Sequence, residues 1–234
     1  MEVIILAGGL GTRLSSVVND VPKCMAEVAG NPFLHYILQQ LLPVHPEQII
    51  LSLGYKHEII EEWISKLDYP YPIVCKSEPY PLGTGGAIKF AFSAVKDDSA
   101  IVINGDTFFD IDLSKFQNFF QEKKKETVIS LKPMTDFDRY GSVEFDANIS
   151  QIINFREKKY CKEGYINGGI YALKKSELNT FPEKFSLENE YFPIKVEEQN
   201  LFGFVSDGFF IDIGIPEDYK KAQIIFSRFI NNAN

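Results

Sequence analysis

The chain has 234 residues, 45% of them hydrophobic, which suffices to bury one large core. Its formal net charge of -8 argues against general nucleic-acid binding, because phosphate contacts of that kind need a basic face. No apolar run approaches the roughly 18 residues of a membrane span, and no basic region precedes the apolar amino end. Its cysteines form no CxxC pair, which indicates a reducing compartment and no structural zinc. We therefore expect a soluble, cytoplasmic protein with neither a nucleic-acid nor a membrane partner.

The first element is an apolar run at residues 3–7, which predicts a buried strand leading into a glycine-rich loop. The loop contains Gly8, Gly9 and Gly11, whose backbone N–H groups can approach a polyphosphate because no Cβ intervenes. Arg13 and Lys23 can supply the positive charge that phosphate oxygens require. The spacing matches neither the dinucleotide fingerprint nor the P-loop, and ordinary tight turns also contain such glycines. The pattern favours a nucleotide triphosphate pocket.

Short apolar strands then alternate with apolar residues at helical spacing. Helices are predicted near residues 33–42, 59–67 and 87–95, and strands at 49–53, 73–75 and 100–103. This alternation is typical of right-handed crossovers around a parallel sheet covered on both faces. We therefore predict an α/β fold with a doubly wound, mostly parallel, Rossmann-like sheet, whose ligands bind beyond the carboxyl ends of the strands.

The pattern changes from about residue 126. Strands follow one another with little helix between them, at residues 128–131, 142–146, 149–155 and 165–173. They predict added antiparallel strands that cover the second side of the pocket. We detect no linker, low-complexity tract or internal repeat, so we predict a single domain, 1–234, with subregions at 1–125 and 126–234.

Two aspartates lie at predicted strands, one just after its strand and one near the end of its strand. Asp106 comes after the strand at 100–103, and Asp212 lies within the apolar run at 209–213. Either residue alone fits a turn or cap as well as a ligand role. Two carboxylates near a triphosphate fit a Mg²⁺ site, because this ion needs only one or two protein carboxylates when it also binds phosphate.

Glu157 and Lys158 form a third group, followed closely by Asn167 and Gly168. Glu157 can accept hydrogen bonds from sugar hydroxyls, and Lys158 can pair with a second phosphate. A Glu–Lys pair at a strand end is also typical of ordinary solvated surface. The residues alone leave both interpretations open.

Eight ordered motifs make the chain resemble the sugar-1-phosphate nucleotidylyltransferases over essentially its whole length. They are LAGGLGTRL at 6–14, VPK at 21–23, LGTGGA at 82–87, NGD at 104–106, YG at 140–141, EK at 157–158, NGGIY at 167–171 and IDIGIPEDY at 211–219. Within that family, the segments at 104–113, 136–141 and 166–171 look most like D-glycero-α-D-manno-heptose 1-phosphate guanylyltransferases.

The resemblance implies that an NTP and a sugar 1-phosphate react to give an NDP-sugar and pyrophosphate, with GTP and heptose 1-phosphate favoured, for surface polysaccharide biosynthesis. It implies catalytic roles for Lys23, beside the α-phosphate, and for Arg13, on the departing pyrophosphate. The implied nucleotide-binding residues are Leu6, Ala7, Gly8, Gly9, Gly11, Thr12, Glu78, Gly83, Thr84, Asn104 and Gly105. The implied sugar-phosphate residues are Gly141, Glu157, Lys158, Asn167 and Gly168, and the implied Mg²⁺ ligands are Asp106 and Asp212.

Glu78 is the expected reader of the base, because a carboxylate can accept hydrogen bonds from both N1–H and the amino group of guanine. Relatives usually carry the acid directly before the PLGTGGA motif, whereas Tyr80 and Pro81 intervene here, so an exposed loop glutamate is the alternative. Other open functions are a mannose-1-phosphate guanylyltransferase or a related transferase, a non-catalytic regulatory protein and a glycosyltransferase. Phe226 and Phe229 on the last helix offer a possible homo-oligomer surface, with packing on their own core as the alternative.

Overall fold

The computed structural model describes residues 1–9, 21–122 and 126–232, without the side chains of 229–232. Its strands are β1 (Glu2–Ala7), β2 (Glu27–Val28), β3 (Asn31–Pro32), β4 (Gln48–Leu53), β5 (Ile73–Ser77), β6 (Ser99–Asn104), β7 (Thr107–Phe109), β8 (Thr127–Phe137), β9 (Gly141–Asp146), β10 (Gln151–Lys158), β11 (Cys161–Lys174), β12 (Phe202–Val205) and β13 (Phe210–Asp212). Its α-helices are α1 (Phe33–Leu41), α2 (His57–Ser65), α3 (Gly83–Ala91), α4 (Leu113–Glu122), α5 (Phe192–Glu197) and α6 (Pro216–Asn232). A π-helical turn, Leu187–Tyr191, precedes α5.

The main sheet has nine strands in the order β5-β4-β1-β6-β11-β8-β12-β10-β9. The four strands from the amino-terminal region are parallel, with Val3 opposite both Ile49 and Ile101. From β11 onward most pairings are antiparallel, and only β12 runs parallel to β8. The sheet is therefore mixed rather than mostly parallel, because β11 runs antiparallel to β6 and β8, and β9 and β10 form an antiparallel hairpin. The pairing of β6 with β11 makes one continuous sheet across residue 125, while the single-domain boundaries stay a prediction.

Two apolar clusters cover the two faces of this sheet. Successive residues of β1 alternate between them: Val3 and Ile5 contribute to one cluster, and Ile4 contributes to the other. Side chains of α1, α2, α4 and α6 join the first cluster, whereas those of α3 and α5 join the second. This confirms that helices cover both faces, as expected for strands that are apolar throughout. The finer description of the sheet as doubly wound stays a prediction.

The carboxyl-terminal helix packs on its own core. Phe226 is 2% exposed, and its ring centroid lies 6.0 Å from that of Phe33 and 4.3 Å from that of Tyr36. Phe226 therefore provides no homo-oligomer surface, since its ring is already covered; the side chain of Phe229 lies outside the described residues. Within the described ranges, no helix is both long and apolar enough to cross a bilayer.

The start of α3 docks tightly against residues 183–187 and so joins the two regions of the sheet. Gly85 N and Gly86 N donate to Phe185 O at 3.1 and 3.2 Å, and Phe185 N donates to Leu82 O at 3.0 Å. Gly83 has a φ of +75°, and a Cβ on it would lie 2.6 Å from Phe185 O. Only glycine tolerates both the dihedral and the close approach. Helix α3 begins at Gly83, four residues before the predicted start at residue 87.

Candidate active site

A first cleft of about 660 Å³ opens at the carboxyl ends of β1 and β6. Nine residues with a predicted nucleotide-binding role line it: Leu6, Ala7, Gly8, Gly9, Glu78, Gly83, Thr84, Asn104 and Gly105. Lys23 and Asp106 line the same cleft. Gly11, Thr12 and Arg13 lie outside the described residues, so the roles assigned to them stay predictions. The position of the cleft agrees with ligand binding beyond the ends of parallel strands.

Two glycines of this cleft are required by packing within the protein. Gly105 N donates to Leu6 O at 2.9 Å, and a Cβ on Gly105 would lie 2.6 Å from that oxygen. A Cβ on Gly8 would lie 2.8 Å from Glu78 Oε1. A Cβ on Gly9, by contrast, would meet none of the described atoms within 4 Å. Among the described residues, therefore, no packing contact accounts for the glycine at position 9.

Lys23 lies between the two predicted metal ligands. Its Nζ donates to Asp106 Oδ2 and lies 3.9 Å from Asp212 Oδ1. The side chain of Lys23 is 13% exposed, whereas those of Asp106 and Asp212 are 35% and 29% exposed. Because little water surrounds the ammonium, its charge is weakly screened and acts strongly on nearby groups. The three residues form one charged cluster at the edge of the first cleft.

Pairing between β7 and β13 brings the two aspartates together. The strands are antiparallel with Asp212 opposite Thr107, and Ile213 N donates to Asp106 O at 3.0 Å. Gly214 N donates to Asp212 Oδ1 at 2.6 Å and so orients this carboxylate. The short sheet thus places two acids that are distant in the sequence against the same lysine.

The two carboxylates fit a hard cation. In the part of the chain that the structure describes, no group of three or more His, Cys, Asp and Glu side chains is arranged as a metal cluster. Mg²⁺ commonly uses one or two protein carboxylates, with substrate phosphate oxygens and water as its other ligands. The donor set of Asp106 and Asp212 is therefore compatible with Mg²⁺ bound together with a nucleotide, and incompatible with a fully protein-ligated transition metal site.

A second cleft of about 580 Å³ lies on the side of the antiparallel strands. Four residues with a predicted sugar-phosphate role line it: Gly141, Glu157, Lys158 and Asn167. Glu157 and Lys158 are exposed within it. Gly168 is the exception, because it is buried and an added Cβ would lie 2.5 Å from the ring of Phe109. This packing contact accounts for the glycine, and the role of Gly168 towards a sugar phosphate stays a prediction.

Arg139 connects the wall of the second cleft to α6. Its Nη2 donates to Asp218 Oδ2, a 7%-exposed carboxylate in the first turn of α6, and Lys221 Nζ lies 3.1 Å from the other oxygen. The neighbouring Tyr140 lines the cleft, and burial raises the pKa of its hydroxyl to about 12. The Arg139–Asp218 pair therefore connects the turn that carries Tyr140, just before β9, to the helix that follows Asp212.

Glu188 lines both clefts, and sequence reasoning missed it. Thr84 Oγ1 donates to Glu188 Oε2 at 2.6 Å, and Ser186 Oγ donates to the same oxygen at 3.1 Å. Leu187 N in turn donates to Thr84 Oγ1 at 2.9 Å. Ser186 is local, but Thr84 is 104 residues away, so the sequence does not show that Glu188 lies beside the first cleft. The two clefts therefore adjoin at this carboxylate.

Glu78 lies in the first cleft despite the intervening Tyr80. Leu82 N donates to Glu78 Oε2 at 2.9 Å, and the side chain is half-buried rather than exposed. Burial raises the pKa of its carboxyl above the ordinary value, and the hydrogen bond from Leu82 partly opposes this rise. The alternative of an exposed loop glutamate is wrong, while the role of Glu78 in reading the base stays a prediction.

The structure thus combines a glycine-lined cleft and a lysine–aspartate cluster with an adjoining cleft that carries a Glu–Lys pair. The chain belongs to the nucleotidyl transferase family, whose model matches residues 2–226. This confirms the resemblance seen in the sequence motifs.

Two relatives and one solved structure resemble the chain over nearly its whole length. The chain is 46% identical to the D-glycero-α-D-manno-heptose 1-phosphate guanylyltransferase of Aneurinibacillus thermoaerophilus, over 95% of this chain and 97% of that protein. It is also 46% identical to the enzyme of that name from Campylobacter jejuni subsp. jejuni serotype O:2, over 94% and 97% of the two chains. The solved structure of HddC from Yersinia pseudotuberculosis complexed with GMP-PN matches with a TM-score of 0.86 and 40% identity, covering 96% of this chain and 99% of that chain.

Proposed function

We propose that this protein transfers the GMP unit of GTP to D-glycero-α-D-manno-heptose 1-phosphate, which gives a GDP-heptose for surface polysaccharide biosynthesis, and pyrophosphate. The main support is the pair of clefts that adjoin at Glu188, one carrying Lys23 and the other carrying Lys158. Two phosphorylated substrates must lie side by side to react, and adjoining clefts with one lysine each suit that requirement. The names of the two 46% identical relatives, and GMP-PN in HddC, support the choice of substrates.

The proposed chemistry is a direct displacement at the α-phosphorus. A phosphate oxygen of the sugar 1-phosphate forms the new P–O bond while the bond to the β-phosphate oxygen breaks, and pyrophosphate leaves with that electron pair. Positioning and charge then supply the rate enhancement, since no covalent enzyme intermediate is required. We assign neutralisation of the α-phosphate to Lys23, binding of the sugar's phosphate to Lys158 and acceptance of hydrogen bonds from sugar hydroxyls to Glu157, each on its position in a cleft.

We propose Asp106 and Asp212 as the residues that would hold Mg²⁺. When bound, the ion supplies positive charge to phosphate oxygens. Both carboxylates are partly exposed and lie close to Lys23, so they are reachable from solvent at the edge of the first cleft.

A substrate matrix tests the proposal. Pyrophosphate release should be measured with GTP, ATP, CTP, UTP and dTTP, each combined with heptose, mannose and glucose 1-phosphates. We expect kcat/KM for GTP with the heptose phosphate to exceed every other combination by about tenfold or more, a difference of about 1.4 kcal/mol. A higher value with mannose 1-phosphate would replace the proposed sugar, and release with no combination would favour a regulatory protein. Release of a nucleoside diphosphate from a finished NDP-sugar would instead indicate a glycosyltransferase.

Glu78→Gln should weaken the preference for GTP over ATP by about 10- to 100-fold. The neutral amide lacks the charged carboxylate that accepts two hydrogen bonds from guanine. Competition between GTP and ATP measures this ratio directly. Glu62→Gln, on the exposed face of α2, is the matched control and should leave the preference unchanged.

The raised pKa of Glu78 also predicts that the preference of the wild-type enzyme for GTP falls as the pH is lowered, since this carboxylate becomes protonated at a higher pH than an ordinary glutamate. Unaltered selectivity in Glu78→Gln would remove this residue from base recognition.

A further inference from the structure

The hydroxyl oxygen of Tyr171 accepts hydrogen bonds from two amides that belong to different clefts. Asn104 Nδ2 donates to it at 3.3 Å, and Asn167 Nδ2 donates to it at 3.1 Å. Asn104 lines the first cleft and Asn167 lines the second. Tyr171 itself is 1% exposed and is not among the lining residues of either cleft. A single buried oxygen therefore connects the two substrate clefts.

The Tyr171 oxygen is one of the contacts that orient these amides. Asn167 Oδ1 accepts a hydrogen bond from Gly169 N at 2.9 Å, so its Nδ2 is directed towards Tyr171. Gly169 has a φ of +77°, and a Cβ there would lie 3.1 Å from Asn104 Nδ2, so glycine leaves room for that amide. Each amide keeps a second N–H, since an –NH₂ group carries two donors. These remaining groups are available to a ligand only while the amides keep their present orientation.

We propose that Tyr171 is a positioning residue whose hydroxyl holds Asn104 and Asn167 in the orientations that bind the nucleotide and the sugar phosphate, respectively. This inference rests on the proposed function and deepens it, because it assigns joint recognition of both substrates to one residue outside the clefts. Tyr171 stays protonated, since burial raises its pKa well above the ordinary value. Its oxygen acts as a neutral acceptor at the junction of β6 and β11, which are neighbours in the sheet.

Tyr191 provides a matched control. It is also fully buried, belongs to the same apolar cluster as Tyr171 and packs against the same Phe192 ring. Its hydroxyl pairs with Thr127 Oγ1 at 2.5 Å, and neither residue lines a cleft. Removal of the Tyr191 hydroxyl should therefore have the same effect on packing and stability as removal of the Tyr171 hydroxyl. It should not change the orientation of Asn104 or Asn167.

Tyr171→Phe keeps the side-chain ring and removes only the shared acceptor. We expect KM for GTP and KM for the sugar 1-phosphate both to rise about fivefold or more, with a fall in kcat, because two binding groups lose their orientation. Tyr191→Phe should stay within about twofold of wild type in all three constants. The midpoint of thermal unfolding should shift by a similar amount in Tyr191→Phe and Tyr171→Phe. Equal kinetic constants in the two variants, or a KM change for one substrate alone, would overturn the coupling role.

Two further measurements separate this inference from the proposed reaction. In double variants, Tyr171→Phe should raise KM for GTP little further when added to Asn104→Ala, and KM for the sugar 1-phosphate little further when added to Asn167→Ala, because it acts on each substrate through that amide; additive losses for the same substrate would contradict this. Calorimetric binding of GTP needs no turnover, so a weaker affinity in Tyr171→Phe than in Tyr191→Phe would support the positioning role even if the substrate matrix disproved the heptose transfer. Equal affinities would refute it regardless of the reaction catalysed.

Discussion

Lys23→Met should lower kcat by about 10²- to 10³-fold, the loss typical of removing one preorganised electrostatic group from an active site. Lys23 donates a hydrogen bond to Asp106 and lies near Asp212. Its side chain is largely shielded from water. Methionine has a similar length and preserves packing beside the buried Cys24, while it removes the charge. Pyrophosphate release under saturating substrates measures the effect, because a purely binding role would raise KM without changing kcat.

The control for this variant is Lys66→Met, which removes an exposed lysine paired with Glu62 on α2. Surface pairs of this kind contribute little, so its activity should equal that of wild type. Circular dichroism and thermal unfolding should show both variants folded. A Lys23→Met enzyme that retained wild-type kcat would exclude Lys23 from the chemical step.

Asp212→Asn should raise the Mg²⁺ concentration needed for half-maximal rate by about tenfold or more, and lower the rate at limiting Mg²⁺ accordingly, because one of two anionic ligands becomes neutral. Asparagine keeps an oxygen that can accept the hydrogen bond from Gly214 N, so the local turn should be preserved. Substitution of Asp106 would also remove the hydrogen bond that this carboxylate accepts from Lys23. A Mg²⁺ titration of the initial rate measures the shift.

Asp110→Asn is the matched control, because Asp110 is exposed and lines neither cleft. Its Mg²⁺ dependence should coincide with that of wild type. A wild-type titration curve for Asp212→Asn would show that this carboxylate does not hold the ion, and the metal proposal would then fail even if Lys23→Met were inactive.

Much of the local structure is predictable because its cause lies within short stretches of sequence. The apolar runs that become β1, β4 and β6, and the helical periodicity that becomes α1 and α2, depend on neighbours a few residues apart. The order of strands is different. The added antiparallel strands predicted after residue 126 are confirmed, but they make up so much of the sheet that it is mixed rather than mostly parallel, and the pairing of β6 with β11 joins the two kinds of strand.

The same distinction applies to the site. The motifs indicated a nucleotide-binding loop, an acidic pair and a Glu–Lys pair, because family motifs are contiguous in the chain. They could not show that Glu188 joins two clefts through Thr84, 104 residues away, or that Tyr171 holds Asn104, 67 residues away. Nor could they show that a Cβ at Gly168 would lie against the Phe109 ring.

Family membership, the positions of most helices and strands, and the identity of the charged residues were thus already present in the order of amino acids, since each depends on local chemistry. The meeting of Asp106 and Asp212 at Lys23 and the sharing of one phenol oxygen between two clefts were settled only when distant strands paired. Hydrogen bonds and ion pairs of this kind act over a few ångströms in space and leave no periodic trace along the chain.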